Sequence, residues 1–176
     1  MTSCAYCLLL LIFYYSSDVY AMSHNYETKR AKAVFEGPYA GELTLTQLSK
    51  GILINGCLRG FPPNGKHGFH VHEFGRLGNS CQDAGAHYNP LDMHHGGIQT
   101  PVRHIGDLGN LQSDANGVVC TNLHYPETDL TGKYSVLGRA LVIHEMEDDL
   151  GTAGTADSQA TGSSGKRLTC AVINPV

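Results

Sequence analysis

Short segments rich in β-forming apolar residues recur along the chain after residue 30, separated by turns. In residues 41–47, for example, polar residues separate Leu43 from Leu45, which is typical of a half-buried strand. Clusters of Gly and Pro between such segments predict turns, and no segment has a helical period of useful length. The pattern predicts short strands at residues 32–35, 41–47, 51–58, 67–73, 109–111, 117–123, 134–143 and 167–173.

Two long segments, 75–107 and 145–166, interrupt this pattern and are rich in Gly and polar residues. Loops of this length in a compact domain are usually functional. Eight strands with two long loops predict an all-β fold, an eight-stranded Greek-key β-barrel or an immunoglobulin-like sandwich. No linker is visible, so we expect a single domain at residues 22–176.

The N-terminus has a different character, because residues 4–15 form an unbroken apolar and aromatic run that contains Cys4 and Cys7. The run is too short for a membrane-spanning helix, which needs about 20 residues. It fits the core of a signal peptide, and residues 19–21 (VYA) offer a cleavage site. No Lys or Arg precedes the run, so an uncleaved anchor or a spurious extension is the alternative. We expect residues 1–21 to be a signal peptide and the protein to be secreted, or cytoplasmic if the signal does not work.

The net charge and the number of His residues indicate which kinds of ligand to expect. The formal net charge is −4, which indicates neither a nucleic acid nor an anionic membrane surface as a ligand. The ten His residues are the outlier, and His is the commonest metal ligand in proteins.

Three His residues lie outside the first long loop at positions that suit a metal. His70 and His72 alternate along a predicted strand, so both imidazoles point to the same side. His144 follows the strong apolar strand segment 141–143. Together with one shared His from the loop, they form an all-imidazole set of the kind that binds Cu²⁺.

The first long loop contains a second set. It supplies three His residues and one Asp, the donor types of a closed tetrahedral Zn²⁺ site. These residues are His87, His95, His104 and Asp107.

The order of these motifs resembles the copper/zinc superoxide dismutase family over roughly residues 28–174. The matching segments are HGFHVHEFG (67–75), AHYNP (86–90), HGG (95–97), HIGDLGN (104–110), HE (144–145), DDLG (148–151) and GKRLTC (165–170). The resemblance implies one copper and one zinc per subunit, superoxide as the substrate, O₂ and H₂O₂ as products, and a homodimer. No membrane association is expected once the signal is cleaved.

The resemblance also assigns roles to residues. Copper would be bound by His70, His72, His87 and His144, and zinc by His87, His95, His104 and Asp107. His87 would bridge the two metals and take up a proton when copper is reduced, and Arg167 would dock superoxide. Asp148 would hydrogen-bond His70 and His95 and fix their orientation. Of the other His residues, His67 is expected to brace a loop, and His24 and His124 are expected at the surface. His94 neighbours His95, but the family's His-Gly-Gly pattern favours His95 as the ligand.

The second long loop departs from the animal cytosolic members of the family. Ala156-Asp157 and Ala160 stand where that pattern carries a Glu-Glu pair and a Lys, while Thr161 is retained. We expect long-range electrostatic steering of superoxide to be weaker here, with docking at Arg167 preserved.

Four Cys residues remain after residue 21. The resemblance pairs Cys81 with Cys170 as an intrasubunit disulfide. Cys57 and Cys120 both lie in predicted strands, where we expect free buried thiols rather than a second disulfide.

Three other functions deserve comparison. The dismutase-like domain of a copper chaperone usually lacks a complete copper set, which this chain has. A metal-storage protein would not require Arg167, and a zinc hydrolase usually keeps an open metal position that four His at one metal leave little room for.

Overall fold

A computed structural model describes residues 29–176, which fold as two antiparallel β-sheets packed face to face. The expected signal peptide and His24 lie outside the described residues. The strands are β1 (Arg30–Phe35), β2 (Ala40–Gln47), β3 (Ile52–Arg59), β4 (Lys66–His72), β5 (Asp107–Gln112), β6 (Val118–Tyr125), β7 (Ala140–His144), β8 (Arg167–Val172) and β9 (Asn174–Pro175). A 3₁₀ turn (Gln82–Ala84) and one helix, α1 (Ala156–Thr161), lie in the long loops. Neither is long and apolar enough to cross a membrane.

One sheet has the order β6-β3-β2-β1-β9 and the other the order β5-β4-β7-β8. The sheets meet where Ser113, just after β5, pairs with Val119 of β6, and where β1 packs against β8. The all-β prediction is therefore confirmed, while the Greek-key connectivity stays a prediction.

The core lies between the two sheets and is built by the alternation seen in the sequence. Leu43 and Leu45 point inward from β2, and Phe69 and Val71 point inward from β4. On β4 the residues between them are buried as well, under the long loops rather than in the core. The outer face of the four-stranded sheet is thus a second protected surface.

The eight predicted strands are all present, with shifted ends. The segment predicted from residue 134 becomes a strand only at Ala140, because residues 134–139 form a turn with Gly138 at a φ of 74°. Strand β9 was not predicted, since it has only two residues, which pair with β1. Helix α1 was also missed: its six residues are too few to reveal a period, and Thr155 and Gly162 cap its ends.

Two disulfides cross the described chain, Cys81–Cys170 and Cys57–Cys120. The expectation of free buried thiols at Cys57 and Cys120 is wrong. Leu58 and Val119 occupy the inward positions of β3 and β6, so the alternation places both Cys side chains on the exposed outer face. There they are directly opposite in the ladder, close enough to bond.

Candidate metal centre

The outer face of the four-stranded sheet brings together three of the candidate ligands. His70 pairs in register with Val142, and His72 with Ala140, so strand β4 presents both imidazoles beside β7. His144 ends β7, where the register shifts next to β8. The shift comes after Ile143, which points into the core.

The first long loop folds back over this face and brings the fourth imidazole. His87 forms an isolated antiparallel bridge with His72. The loop is sealed to the sheet by Ala84, which packs with Ala140 and Val142, and by the disulfide from Cys81 to β8.

The four imidazoles converge, with one ligand atom of each lying within 4.8 Å of the others. His72 Nε2 lies 3.4 Å from His144 Nε2. The Nδ1 atoms of these two rings bond to the carbonyls of Gly85 and Gly165, at 3.0 and 3.2 Å. His70 Nδ1 and His87 Nε2 are buried and have no hydrogen-bond partner. Buried polar atoms are rarely left unpaired, so their convergence fits a cation bound among them.

A second group shares His87 and surrounds one carboxylate oxygen. Asp107 Oδ1 lies 3.0 Å from His87 Nδ1, 3.0 Å from His95 Nδ1 and 3.1 Å from His104 Nδ1. The edge of a tetrahedron with zinc-ligand bonds of about 2.05 Å is about 3.3 Å. Three nitrogens and one oxygen at this spacing therefore suit a tetrahedral Zn²⁺ ion.

Three ligand-bearing segments are joined by a closed ring of backbone hydrogen bonds. Val71 N–H donates to Gly106 O (2.8 Å), Gly106 N–H to Tyr88 O (2.9 Å), and Tyr88 N–H to Val71 O (2.8 Å). Val71 lies between His70 and His72, Tyr88 follows His87, and Gly106 precedes Asp107. We call these three residues the backbone triangle. It fixes the ligands of both groups relative to one another.

Asp148, in the second long loop, links the two groups from the side. Its carboxylate accepts hydrogen bonds from His70 Nε2 (2.9 Å) and His95 Nε2 (2.8 Å). Asn110 holds the backbone of Asp148 at both ends, donating to its carbonyl and accepting from its N–H. Asn110 was not singled out by sequence reasoning, although it stands within the HIGDLGN motif.

Arg167 lies at the mouth of a cavity of about 360 Å³ that opens onto His72, His87 and His144. Its guanidinium donates to the carbonyls of Cys81 and Gly85, both at 2.6 Å. Gly85 O thus accepts hydrogen bonds from both His72 and Arg167. The half-buried guanidinium is held beside the imidazoles and keeps one side toward the cavity.

Comparison with known proteins identifies the family. Residues 39–173 match the model of the copper/zinc superoxide dismutase family. The chain belongs to this family. It is 46% identical to the superoxide dismutase [Cu-Zn] of Paramecium bursaria Chlorella virus 1, over 81% of this chain and 76% of that protein.

Extracellular members are among the relatives of this superoxide dismutase. It is 45% identical to the extracellular superoxide dismutase [Cu-Zn] of Drosophila melanogaster, over 76% of this chain and 74% of that one. The crystal structure of the clock protein EA4 matches with a TM-score of 0.80 and 39% identity, covering 84% of this chain and 94% of that one. The chain is thus a copper/zinc superoxide dismutase that converts superoxide to O₂ and H₂O₂.

Burial sets the protonation of the dismutase's imidazoles. Burial, and then repulsion from His87, holds the pKa of His70 well below its ordinary value. Burial likewise lowers the pKa of His72, and lowers that of His144 to about 4. These rings are therefore neutral at physiological pH, which is the form that binds metal.

In the group around Asp107, carboxylates raise the pKa of an imidazole instead of lowering it. Burial opposes protonation of His95, but its hydrogen bonds to Asp107 and Asp148 prevail and raise its pKa to about 9. Burial also works against ionisation of Asp107, yet hydrogen bonds from His104, His87 and His95 hold its pKa below the ordinary range. Carboxylates that favour a proton on His95 favour a divalent cation in the same place.

The remaining described His residues differ in how deeply they are buried. His67 is buried in the dismutase, and its Nδ1 lies 2.9 Å from His144 O, so it braces the start of the second loop as expected. His94 and His124 are exposed, whereas His95 is buried. Exposure thus distinguishes His95 from its neighbour in sequence.

The backbone triangle generates a prediction at Gly106. A Cβ atom there would lie 2.3 Å from Val71 O and 2.9 Å from Tyr88 N, both backbone atoms that cannot move aside cheaply. We expect Gly106→Ala to lose both copper and zinc, measured by metal analysis of the purified protein. Gly78→Ala is the control, because a Cβ at this exposed glycine would meet only the side chain of Asp83, which can move aside. Normal metal content in Gly106→Ala would show that the triangle does not determine the ligand positions.

Proposed function

We propose that this dismutase binds copper through His70, His72, His87 and His144, and zinc through His87, His95, His104 and Asp107. The observation that carries the proposal is the position of His87. Its Nδ1 lies 3.0 Å from Asp107 Oδ1, in the group of mixed donors, while its Nε2 is buried without a partner among the other imidazoles. One ring is thereby available to two ions on opposite sides.

The donor sets support different metals at the two positions. Four imidazoles suit copper, and three imidazoles with one carboxylate suit zinc. Bound copper supplies the redox chemistry, since it alternates between two oxidation states, accepting an electron from one superoxide and passing it to a second. Zinc has no redox chemistry and holds the loop in place.

We propose that His87 handles a proton during the reaction. Its Nε2 faces the other three imidazoles of the copper group, while its Nδ1 stays with the Asp107 group. A proton held at Nε2 would be close to the peroxide formed from the second superoxide. The ring would supply one of the two protons that H₂O₂ requires, with water supplying the other. It would do so without leaving its position, because the backbone triangle fixes the residue that follows it.

We propose that Asp148 is a positioning residue for both metal groups. One carboxylate bonds to the outer nitrogens of His70 and His95, leaving their Nδ1 atoms for metal. Bonds of this type orient the ring and raise ligand basicity, and their loss typically weakens metal binding 10- to 100-fold.

We propose that Arg167 docks superoxide. A guanidinium stays protonated at physiological pH, and this one lies in the wall of the cavity that leads to His72 and His144. Among the described residues that line the cavity, Arg167 is the one Arg or Lys and Asp157 of α1 the one acid. Ala160 adds no charge. This balance supports weaker steering of the anion than a mouth with several cations would give.

We propose that the protein forms a homodimer. Phe74 is 43% exposed, and the neighbouring Gly75 lies against the backbone of Gly138 and the side chain of Val172. The guanidinium of Arg76 covers one face of the Phe74 ring at 4.5 Å. An exposed aromatic and Arg pair is typical of protein contact surfaces, and a second copy across a twofold axis would cover it.

We propose that residues 1–21 are a cleaved signal peptide and that the domain at residues 22–176 is secreted. The apolar run at residues 4–15 and the relatives named extracellular support this. Two disulfides also favour an oxidising compartment, and Cys57–Cys120 is on the surface.

The copper assignment is tested by His144→Ala. We expect superoxide consumption to fall to the uncatalysed background while zinc stays bound, because His144 belongs only to the copper group. Metal analysis and an activity assay on the same preparation measure both effects. His124→Ala, which removes an exposed imidazole, is the control and should keep full activity. Loss of zinc together with activity would contradict the division into two groups.

The proposed docking at Arg167 is tested by Arg167→Ala, and the proposed weak steering is tested by varying the ionic strength. We expect kcat/KM to fall about tenfold or more with copper retained, since a local cation at the mouth is lost. In the unmodified enzyme, kcat/KM should fall only gently as ionic strength rises. A steep fall, of the kind shown by strongly steered enzymes, would refute weak steering.

Secretion and assembly are tested on one sample of secreted protein. N-terminal sequencing should begin at Met22, and sedimentation should give twice the mass of residues 22–176. A start at Met1 would refute cleavage, and a single-chain mass would refute the dimer, independently of each other.

A further inference from the structure

The outer face of the five-stranded sheet carries a disulfide that the metal chemistry does not use. Cys57 of β3 and Cys120 of β6 are directly opposite and bonded, and both side chains are exposed. We propose that this pair is a thiol–disulfide exchange site for small thiols and dithiols. Exchange there changes the stability of the protein and leaves its metal centre intact.

Access distinguishes this disulfide from the other one. Cys81 is only 7% exposed, and Cys170 is half-buried beneath the first long loop. The carbonyl of Cys81 is held by Arg167, which keeps its segment in place. Since exchange requires a thiolate to reach a sulfur atom, the exposed pair reacts first.

The exposed pair is also structurally separate from the metal ligands. Strands β3 and β6 belong to the five-stranded sheet, whereas the ligand His residues lie on β4, on β7 and in the first long loop. Seven residue pairs besides Cys57 and Cys120 keep β3 and β6 in register. Leu58 and Val119, next to the Cys residues, point into the core and stay buried. Opening the bond therefore disturbs neither the ladder nor the core.

The surroundings leave the sulfur atoms open to approach. In the same row across the sheet, Cys57 is flanked by Glu42 of β2, whose carboxylate is paired with Lys32 at 2.9 Å. The paired ammonium offsets the negative charge that would otherwise repel an approaching thiolate.

The exchange consumes two thiol groups of the reductant. A thiolate attacks one sulfur, a mixed disulfide forms, and the second Cys leaves as a thiolate that takes up a proton. A second thiolate then attacks the reductant's sulfur in the mixed disulfide, and the protein Cys leaves as a thiolate that takes up a proton. The protein thereby gains two thiols and the reductant becomes a disulfide. The bond normally spans 63 residues, which restricts the unfolded chain, so its opening lowers the thermal midpoint. The redox state of the surroundings thus changes the thermal stability of the protein and leaves its activity unchanged.

The experiment uses the metal-loaded protein and dithiothreitol. Native protein is incubated with increasing concentrations, free thiols are trapped by alkylation, and each Cys is quantified by peptide mass spectrometry. We expect Cys57 and Cys120 to be alkylated at least ten times faster than Cys81 and Cys170. Copper, zinc and activity should be unchanged at that stage, and the thermal midpoint should be lower. Opening of Cys81–Cys170 first, or of both together with loss of metal, would overturn the proposal.

The double variant Cys57→Ser/Cys120→Ser supplies the matched control. It should keep full activity, show the same slow alkylation at Cys81 and Cys170, and have a thermal midpoint that dithiothreitol does not change at low concentration. Faster opening of Cys81–Cys170 in this variant would show that the two disulfides are coupled, which contradicts the proposed independence.

Discussion

The backbone triangle of Val71, Tyr88 and Gly106 is the constraint on which the metal centre depends. Each of its members uses both its N–H and its carbonyl inside the ring, so the three segments cannot shift independently. Buried backbone groups must be paired, and here the pairing itself brings strand β4 and two parts of the first loop together.

The charges of the ligands depend on burial and on the two carboxylates nearby. Burial keeps the imidazoles of the group of four His residues neutral, while Asp107 and Asp148 concentrate negative charge on the side of His95. The two groups that share His87 therefore offer different donors and different charge to a cation. Asn110 fixes the backbone of Asp148, whose carboxylate bonds to one imidazole of each group. The second long loop therefore helps to hold both groups in place.

Most of the strands and the candidate ligands could be predicted from the sequence, and the reason is local. Alternation reports which face of a strand is buried, as Leu43 and Leu45 illustrate, and motif order identifies the family. Other features depend on long-range pairing, which one sequence does not reveal. Cys57 and Cys120 were expected to be free and buried because their strands were recognised but their register was not. The triangle and the Asn110 contact involve backbone groups, which every residue type carries, and α1 is too short to produce a period.

The shared carbonyl of Gly85 has a consequence for the loop that carries it. One oxygen atom anchors both the ring of His72 and the guanidinium of Arg167. A change in the loop that moves this peptide therefore alters the surroundings of both groups at once.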